Sequence, residues 1–523
     1  MTNGAPPPGR QGAPDPTRSD GSGAEAAADV RAKAAHGAGW TIALGTAARG
    51  LGLVGSVAIT HFLHPAVMGE VAAAVVVVLT VNQFSTWGTG QYLIAHPREG
   101  RDVVFHATVL HVGIGAAALA LTALLAHPLA AWLHAPSLPR YLAWLAFAVF
   151  LDRVAYVPER VLTRTLQFKR LAVARASSEI AYTALALGLA WAGAGGMAIV
   201  LANVARFGVK LVGCAGSIAP SAWLSPHRLS LATYRRIFAF GGPLAVAAYA
   251  GFAASRWDNL VIERLFGPAL MGQYNSAYNL ADVPADQIGE QVAEVLLPSL
   301  ATLPRAERPH MALSAAGIVA LVVFPVSVGL GAVAPTLGAT ILGRDWTEVG
   351  RMMSWLSALS LARPLSWQAA AYLTANGQPR TVLVLEVGKL ALVLALLLTL
   401  GRLGPLWACA AIGIAFASHT VAAHLTLART EAGFTFRAWL GRIAPPALAC
   451  APLLLAVLGV RRALAAAGVG PGVLGLASEV VAGALVYVGA ALVIAPAHAR
   501  ELIETVRDVR RRRAGVARHA RSR

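Results

Sequence analysis

The chain has 523 residues, 57% of them hydrophobic and only 13% charged, where an ordinary soluble protein carries about a quarter charged residues. Runs such as VAAAVVVVLTV (71–81) and LALLLTL (394–400) are too frequent for a soluble core and have the length of membrane spans, which excludes a soluble globular protein. The formal net charge of +18 is carried largely by short connections and by the terminal run RDVRRRRAGVARHARSR (507–523). That placement suits topological anchoring or contact with anionic membrane lipid rather than nucleic acid.

Residues 1–36 are rich in Gly, Ala, Pro and Asp, with no apolar run behind a basic start. They read as a disordered cytoplasmic tail, not a signal peptide. Apolar segments then follow at about 38–62, 68–95, 103–126, 139–157, 171–191, 196–219, 237–262, 270–301, 311–342, 348–375, 380–400, 405–428, 438–459 and 473–496, or about fourteen helices. Lys and Arg concentrate in one alternate set of connections (HPREGRD, PERVLTRTLQFKR, PHRLSLATYRR), which the positive-inside rule assigns to the cytoplasm together with both termini. No connection is long enough for a folded external domain. Cys214, Cys409 and Cys450 lie far apart in apolar segments and read as buried thiols.

The chain also repeats. FLHPAVMGE (62–70) returns as LFGPALMGQ (265–273), sharing Pro65/Pro268, Ala66/Ala269, Met68/Met271 and Gly69/Gly272; FLDRVAYV (150–157) faces SLARPLSW (360–367), aligning Arg153 with Arg363. Two matches in the same order predict parallel repeats of six helices each, related by an axis along the membrane normal. The expected fold is therefore an all-α polytopic membrane protein with two parallel six-helix lobes (37–220 and 235–430). An additional helix pair (437–497) and a basic cytoplasmic tail (498–523) follow, and a central cavity lies between the lobes.

Ionisable groups inside spans cost roughly 2.5–3.5 kcal/mol each at mid-helix, so they face a cavity or a partner. The mid-span cations are Arg49, Arg153, Arg206, Lys210, Arg363 and Lys389. Cations on both lobes imply an anionic cargo at a central site, since guanidinium groups grip phosphate bidentately. The structural alternatives are snorkelling of Arg153 and an intrahelical pair between Glu386 and Lys389. Within NLADVPADQIGEQVAEVLLP (279–298), Asp282, Asp286, Glu290 and Glu294 recur every fourth residue, a stripe that winds gently around one helix. In a low-dielectric cavity Asp282, Asp286 and Glu290 would take up H+ or bind Na+ and so couple transport to an ion. Solvation of the lower two acids, or neutralisation of the arginines, are the plainer readings. Pro284 permits a kink in that span, and Arg256 with Asp258 reads as an interfacial ion pair. GLGLVG (50–55) sits in a span without a preceding strand, so close helix packing explains it better than nucleotide binding. The histidines lack the company of a metal site, and no cofactor is expected.

The two-lobed arrangement, the Pro65 and Gly69 turn, the stretch SRWDNLVIERLFGPALMGQYNSAYNLADVPADQIGEQVAEVLLPSLA with Asp258, Gly272, Tyr274, Leu297 and Pro298, and LGRDW (342–346) together resemble the polysaccharide flippase family. Its superfamily also holds multidrug-and-toxin extruders and the peptidoglycan-precursor flippase. Over about residues 37–460 the resemblance implies movement of a polyprenyl-pyrophosphate-linked oligosaccharide from the cytoplasmic to the outer leaflet of a bacterial inner membrane, by alternating access and without covalent chemistry. It implies that cations hold the pyrophosphate while the lipid stays in the bilayer or a groove, with a polysaccharide polymerase and a chain-length regulator as partners. The rivals are an ion-coupled small-molecule exporter of the same superfamily, and a membrane polysaccharide polymerase or ligase.

Overall fold

A computed structural model describes residues 50–504 apart from 85–86, 88, 90–91, 94–99, 166 and 360, together with residue 507. The expected tail 1–36, Arg49 and most of the basic tail lie outside the described residues. Helices dominate: α1 (Gly50–Ile59), α2 (Pro65–Phe84), α3 (Arg101–Leu133), α4 (Leu138–Arg164), α5 (Phe168–Trp191), α6 (Met197–Ala215), α7 (Leu231–Phe266), α8 (Pro268–Ala281), α9 (Val283–Thr302), α10 (Arg308–Ile341), α11 (Val349–Leu359), α12 (Arg363–Ala375), α13 (Pro379–Thr399), α14 (Pro405–Thr430), α15 (Phe436–Ala466) and α16 (Val473–Ile494). A helix is the natural state of such sequences in lipid, because it satisfies every backbone N–H and C=O within the segment. Leu124, Trp191, Leu474 and Val493 are almost fully exposed, as expected of a surface solvated by acyl chains.

Among the described residues nine helices are long and apolar enough to cross a bilayer, and α7 makes a tenth if its two bent halves form one span. The count differs from fourteen for identifiable reasons. α1 begins at the edge of the described region, and α5 carries Lys169, Arg170, Arg175 and Glu179, which lowers its apolarity. The segments predicted at 270–301 and 348–375 are each two helices, α8 with α9 and α11 with α12. Pro284 and Pro364 follow those breaks, and proline cannot supply the N–H that would continue the helix.

Helices α2–α6 pack on one another as one lobe, and α7–α14 as the other, while α15 and α16 pack against α10. Arg461 fastens this last pair: Nη2 donates to Glu479 Oε2 at 2.8 Å and Nε to Thr336 Oγ1 at 3.1 Å, and Thr336 in turn donates to Glu479 Oε1 at 2.8 Å. α7 bends by 47° between Leu231–Gly242 and Ala245–Phe266. Ile237, on the first half, is buried with Tyr92, Leu93 and Val103 of the first lobe, whereas Ile262, on the second half, is buried with Met271 and Met353 of the second. The bend therefore lies where the chain passes between lobes.

The repeat seen in the sequence marks a contact. α2 and α8 cross at their N-terminal turns, where a Cβ on Gly69 would overlap the Pro268 carbonyl and one on Gly272 the Pro65 carbonyl. The same end of the bundle is joined by Trp346, whose Nε1 donates to the Thr60 carbonyl at 2.9 Å, and by His64 with Asp345 at 2.6 Å. LGRDW is thus part of this clasp. The close-packing reading of GLGLVG holds at Gly55, where a Cβ would press on the Thr183 side chain, but Gly50 and Gly52 have open space.

Candidate functional site between the lobes

A cavity of about 230 Å³ lies between the lobes, walled by α1, α2, α5 and α6 on one side and by α7 and α8 on the other. Its apolar wall is largely α2, through Met68, Val71 and Val75. Its polar face comes from both lobes: Asn203 and Arg206 on α6, Arg256 and Asn259 on α7, and Asn275 and Asn279 on α8. Each of these pairs is three or four residues apart, so each presents one helical face. Among the described residues, no Asp or Glu lines the cavity.

The two arginines differ. Arg206 is tied to Glu179 and lies 5.5 Å from the centre of the Tyr182 ring. Arg256 is half-buried and has no ion pair among the described residues. The expected partner Asp258 is taken elsewhere: it is buried, accepts from the Tyr274 hydroxyl at 2.6 Å, and also accepts from the Asn259 backbone N–H. The interfacial pair read from the sequence is corrected accordingly. Residues two apart on a helix point in nearly opposite directions, so Asp258 faces its own lobe while Arg256 faces the cavity.

Of the other expected cations, none among the described residues lines this cavity. Arg153 is buried in the first lobe, where it donates to His111 Nε2 at 2.7 Å; His111 stacks on Tyr156 at 4.1 Å, and Gly115 leaves room for the arginine stem. Lys210 lies between Asp152 at 2.8 Å and Glu159 at 2.7 Å, and Glu159 is also held by Arg175. These ties fix α4, α5 and α6 to one another, the structural role open to any buried ion pair.

Arg363 is inside the second lobe, at the start of α12 and beside the break between α8 and α9. It is 7% exposed and pairs with Asp282, itself 6% exposed; it donates to the Tyr278 hydroxyl and stands 3.8 Å from Asp286. Asp286 accepts from Trp367 Nε1 at 2.7 Å. The centre of the Phe416 ring lies 4.3 Å from the Arg363 guanidinium and 5.1 Å from Lys389 Nζ. Lys389 forms the intrahelical pair with Glu386 at 2.6 Å, and His419 lies 3.6 Å from the same carboxylate. The acidic stripe therefore divides. Asp282 and Asp286 meet the arginine, Glu290 is half-buried and engaged by a partner, and Glu294 is exposed. Expectation placed Arg153 and Arg363 astride one central site; instead each is enclosed in its own lobe, because each is held by partners there, Arg153 by His111 and Arg363 by Asp282 and Tyr278.

A second cavity, of about 350 Å³, opens between α10, α15 and α16. Val326, Leu330, Val333, Val457, Val480 and Tyr487 make it almost wholly apolar.

Comparison with known proteins places this geometry in context. The sequence profile of the family described as polysaccharide biosynthesis protein matches residues 58–351. Lipopolysaccharide biosynthesis protein WzxC of Escherichia coli (strain K12) is 21% identical over 354 residues, covering 67% of this chain and 71% of that protein. Succinoglycan biosynthesis transport protein ExoT of Rhizobium meliloti (strain 1021) is 24% identical over 321 residues, covering 61% of this chain and 64% of that protein. Among solved structures, lipid II flippase MurJ in an inward closed conformation superposes with a TM-score of 0.72 at 12% identity, over 88% of this chain and 99% of that one. An inward-facing multidrug resistance MATE family transporter of the MOP superfamily gives 0.58 at 14% identity, over 73% and 96%. The likeness to the solved structures shows a shared all-helical fold. The profile match spans more than half of the sequence, and the chain belongs to the polysaccharide biosynthesis protein family.

Proposed function

We propose that this chain is a flippase that carries polyprenyl-pyrophosphate-linked oligosaccharide from the cytoplasmic to the outer leaflet of a bacterial inner membrane, for lipopolysaccharide, exopolysaccharide or capsule assembly. The observation that carries the reading is the cavity between the lobes, where Arg256, which has no ion pair among the described residues, faces Arg206, which is tied to Glu179, and no carboxylate of the described residues lines the space. Such a site attracts an anion that both lobes hold at once, and rocking of one lobe on the other about the α7 bend then moves it across the membrane. The apolar groove beside α15 and α16 suits the polyprenyl chain, which stays in a lipid-like environment throughout.

The clasp of α2 with α8 corresponds to the outer end of the bundle when both termini are cytoplasmic, so the conformation described is closed to the outside. Ion coupling is assigned to the second lobe. There Asp282, Asp286 and Glu386 face Arg363 and Lys389, and one H+ or Na+ balances the set. A polymerase and a chain-length regulator are the natural downstream partners. An ion-coupled small-molecule exporter would call for an acid-lined cavity, whereas the charged lining residues among those described are Arg206 and Arg256.

Leaflet-resolved labelling of lipid-linked oligosaccharide tests the reading in cells lacking the chain and complemented with wild type or Arg256→Gln. Cells without it trap the intermediate in the cytoplasmic leaflet, and wild type releases it. Because a hydrogen bond to a charged group is worth about 1.5–3 kcal/mol, Arg256→Gln reduces transport about tenfold to a hundredfold. The purified variant keeps wild-type thermal stability, having no ion pair to lose. Normal outer-leaflet intermediate with polymer still missing would move the chain to a later step.

A further inference from the structure

The cavity holds more hydrogen-bonding capacity than an anion needs. Asn259 is 2% exposed and Thr183 6%, yet Asn259 Oδ1 and Thr183 Oγ1 have no hydrogen-bond partner. Asn275 and Asn279, one turn apart on α8, make no side-chain hydrogen bond among the described residues. Only Asn203 is engaged, its Nδ2 donating to the Ile199 carbonyl at 2.9 Å, which leaves its Oδ1 available. Buried polar groups left without partners cost about 1–3 kcal/mol each, and native proteins keep few of them. Asn259 Oδ1 and Thr183 Oγ1 are shut off from the cavity surface, whereas Asn275 and Asn279 are half-buried on its wall, and this accessible unpartnered pair points to a ligand that completes it.

The chemistry of that ligand follows from the set. An amide presents both donors and an acceptor, the complement of a hydroxyl group, which also does both. A second phosphate would want donors only and would find the acceptor oxygens repulsive; a cationic amino sugar would face Arg256 with no carboxylate to offset it. We infer that Asn275 and Asn279 read the hydroxyl groups of a neutral hexose that is attached directly to the phosphate held by Arg256. The volume narrows the inference. About 230 Å³ is below the ~300–1,000 Å³ of pockets for drug-sized ligands, so the site takes one sugar ring and its phosphate, and the remaining sugars extend towards the open end. The amide set is therefore a specificity device for the linkage-proximal sugar, and the assignment rests on the flippase reading above.

The test measures binding of purified full-length protein in lipid nanodiscs to polyprenyl pyrophosphate without sugar, and to the same lipid carrying a single glucose, galactose or N-acetylglucosamine. Wild type binds the best of the three sugar-bearing lipids about tenfold or more tighter than the sugar-free lipid, as a few hydrogen bonds of ordinary worth provide. Asn275→Leu/Asn279→Leu removes that preference, so that it binds all four lipids alike, and its retained affinity for the sugar-free lipid reports an intact fold. Asn275→Ser alone loses part of the preference, which keeps the test decisive if the double variant is unstable. Arg256→Gln weakens all four lipids together. Equal weakening of sugar-free and sugar-bearing lipids by the amide variants, or a wild type indifferent to the sugar, overturns the sugar-reading role and leaves the flippase reading standing. A wild type that binds none of the four overturns both.

Discussion

Replacing Gly69 by leucine abolishes transport by preventing the two lobes from closing at the α2–α8 crossing, and Gly272→Leu does the same. The two helices approach until each glycine lies against the other's proline carbonyl, and any Cβ at either position overlaps that oxygen. The obstacle is backbone, not the movable end of a side chain, so the helices themselves must separate. Overpacking of this kind costs about 1–3 kcal/mol and sometimes more, and 1.4 kcal/mol is about a tenfold change in an equilibrium constant. A leucine therefore reduces the closed population by about one to two orders of magnitude. Outside the clasp each lobe keeps its own core, so the variants still fold.

The measurement is thiol labelling of a cysteine placed at Ser56, which also lines the cavity, in intact cells, using a reagent that does not cross the membrane. Cys214, Cys409 and Cys450 are buried and contribute little background. In the wild-type background the site is shielded by the closed clasp; with Gly69→Leu it is labelled quickly and transport is lost. Slow labelling together with normal transport would show that this crossing does not gate the cavity.

The turns at this crossing were legible in the sequence as the Pro-x-x-x-Gly motif that repeats at 65 and 268, but repetition alone does not announce that the two turns touch. The cavity was less legible. Arg256 lies two residues from Asp258, and proximity in sequence suggested a pair, although the helical period sets them on opposite faces. The useful signal was Arg256 with Asn259, three apart, followed by Asn275 and Asn279, four apart: a polar face on two consecutive helices of an otherwise apolar protein. Lys210 and Arg206 repeat the lesson. Their partners Asp152, Glu159 and Glu179 are contributed by α4 and α5, and no local pattern announces which acid meets which base across helices. The broken spans at 282 and 361–362 were half legible, since Pro284 and Pro364 mark them, but hydropathy alone counts each as one helix.

Arg363→Leu destabilises the purified protein strongly, by about 3–5 kcal/mol, rather than merely weakening transport. The arginine is almost fully enclosed, and its removal strands Asp282, which is equally enclosed, beside Asp286. Breaking a buried pair from one side leaves an uncompensated charge, whereas replacing both members with apolar groups of similar size is often neutral. The double variant Arg363→Leu/Asp282→Leu accordingly recovers most of the lost stability, and the difference between single and double variants is the coupling energy of the pair. Thermal unfolding of the four proteins in one detergent gives the cycle. If Arg363 instead gripped the cargo in an open cavity, the single variant would unfold at the wild-type temperature and lose transport alone. Transport by the double variant then separates two further roles. A stable double variant that no longer flips lipid assigns the pair to the ion-coupled step, because Arg256 and the amide face remain in place; one that flips normally assigns it to holding α9, α12 and α14 together across their breaks.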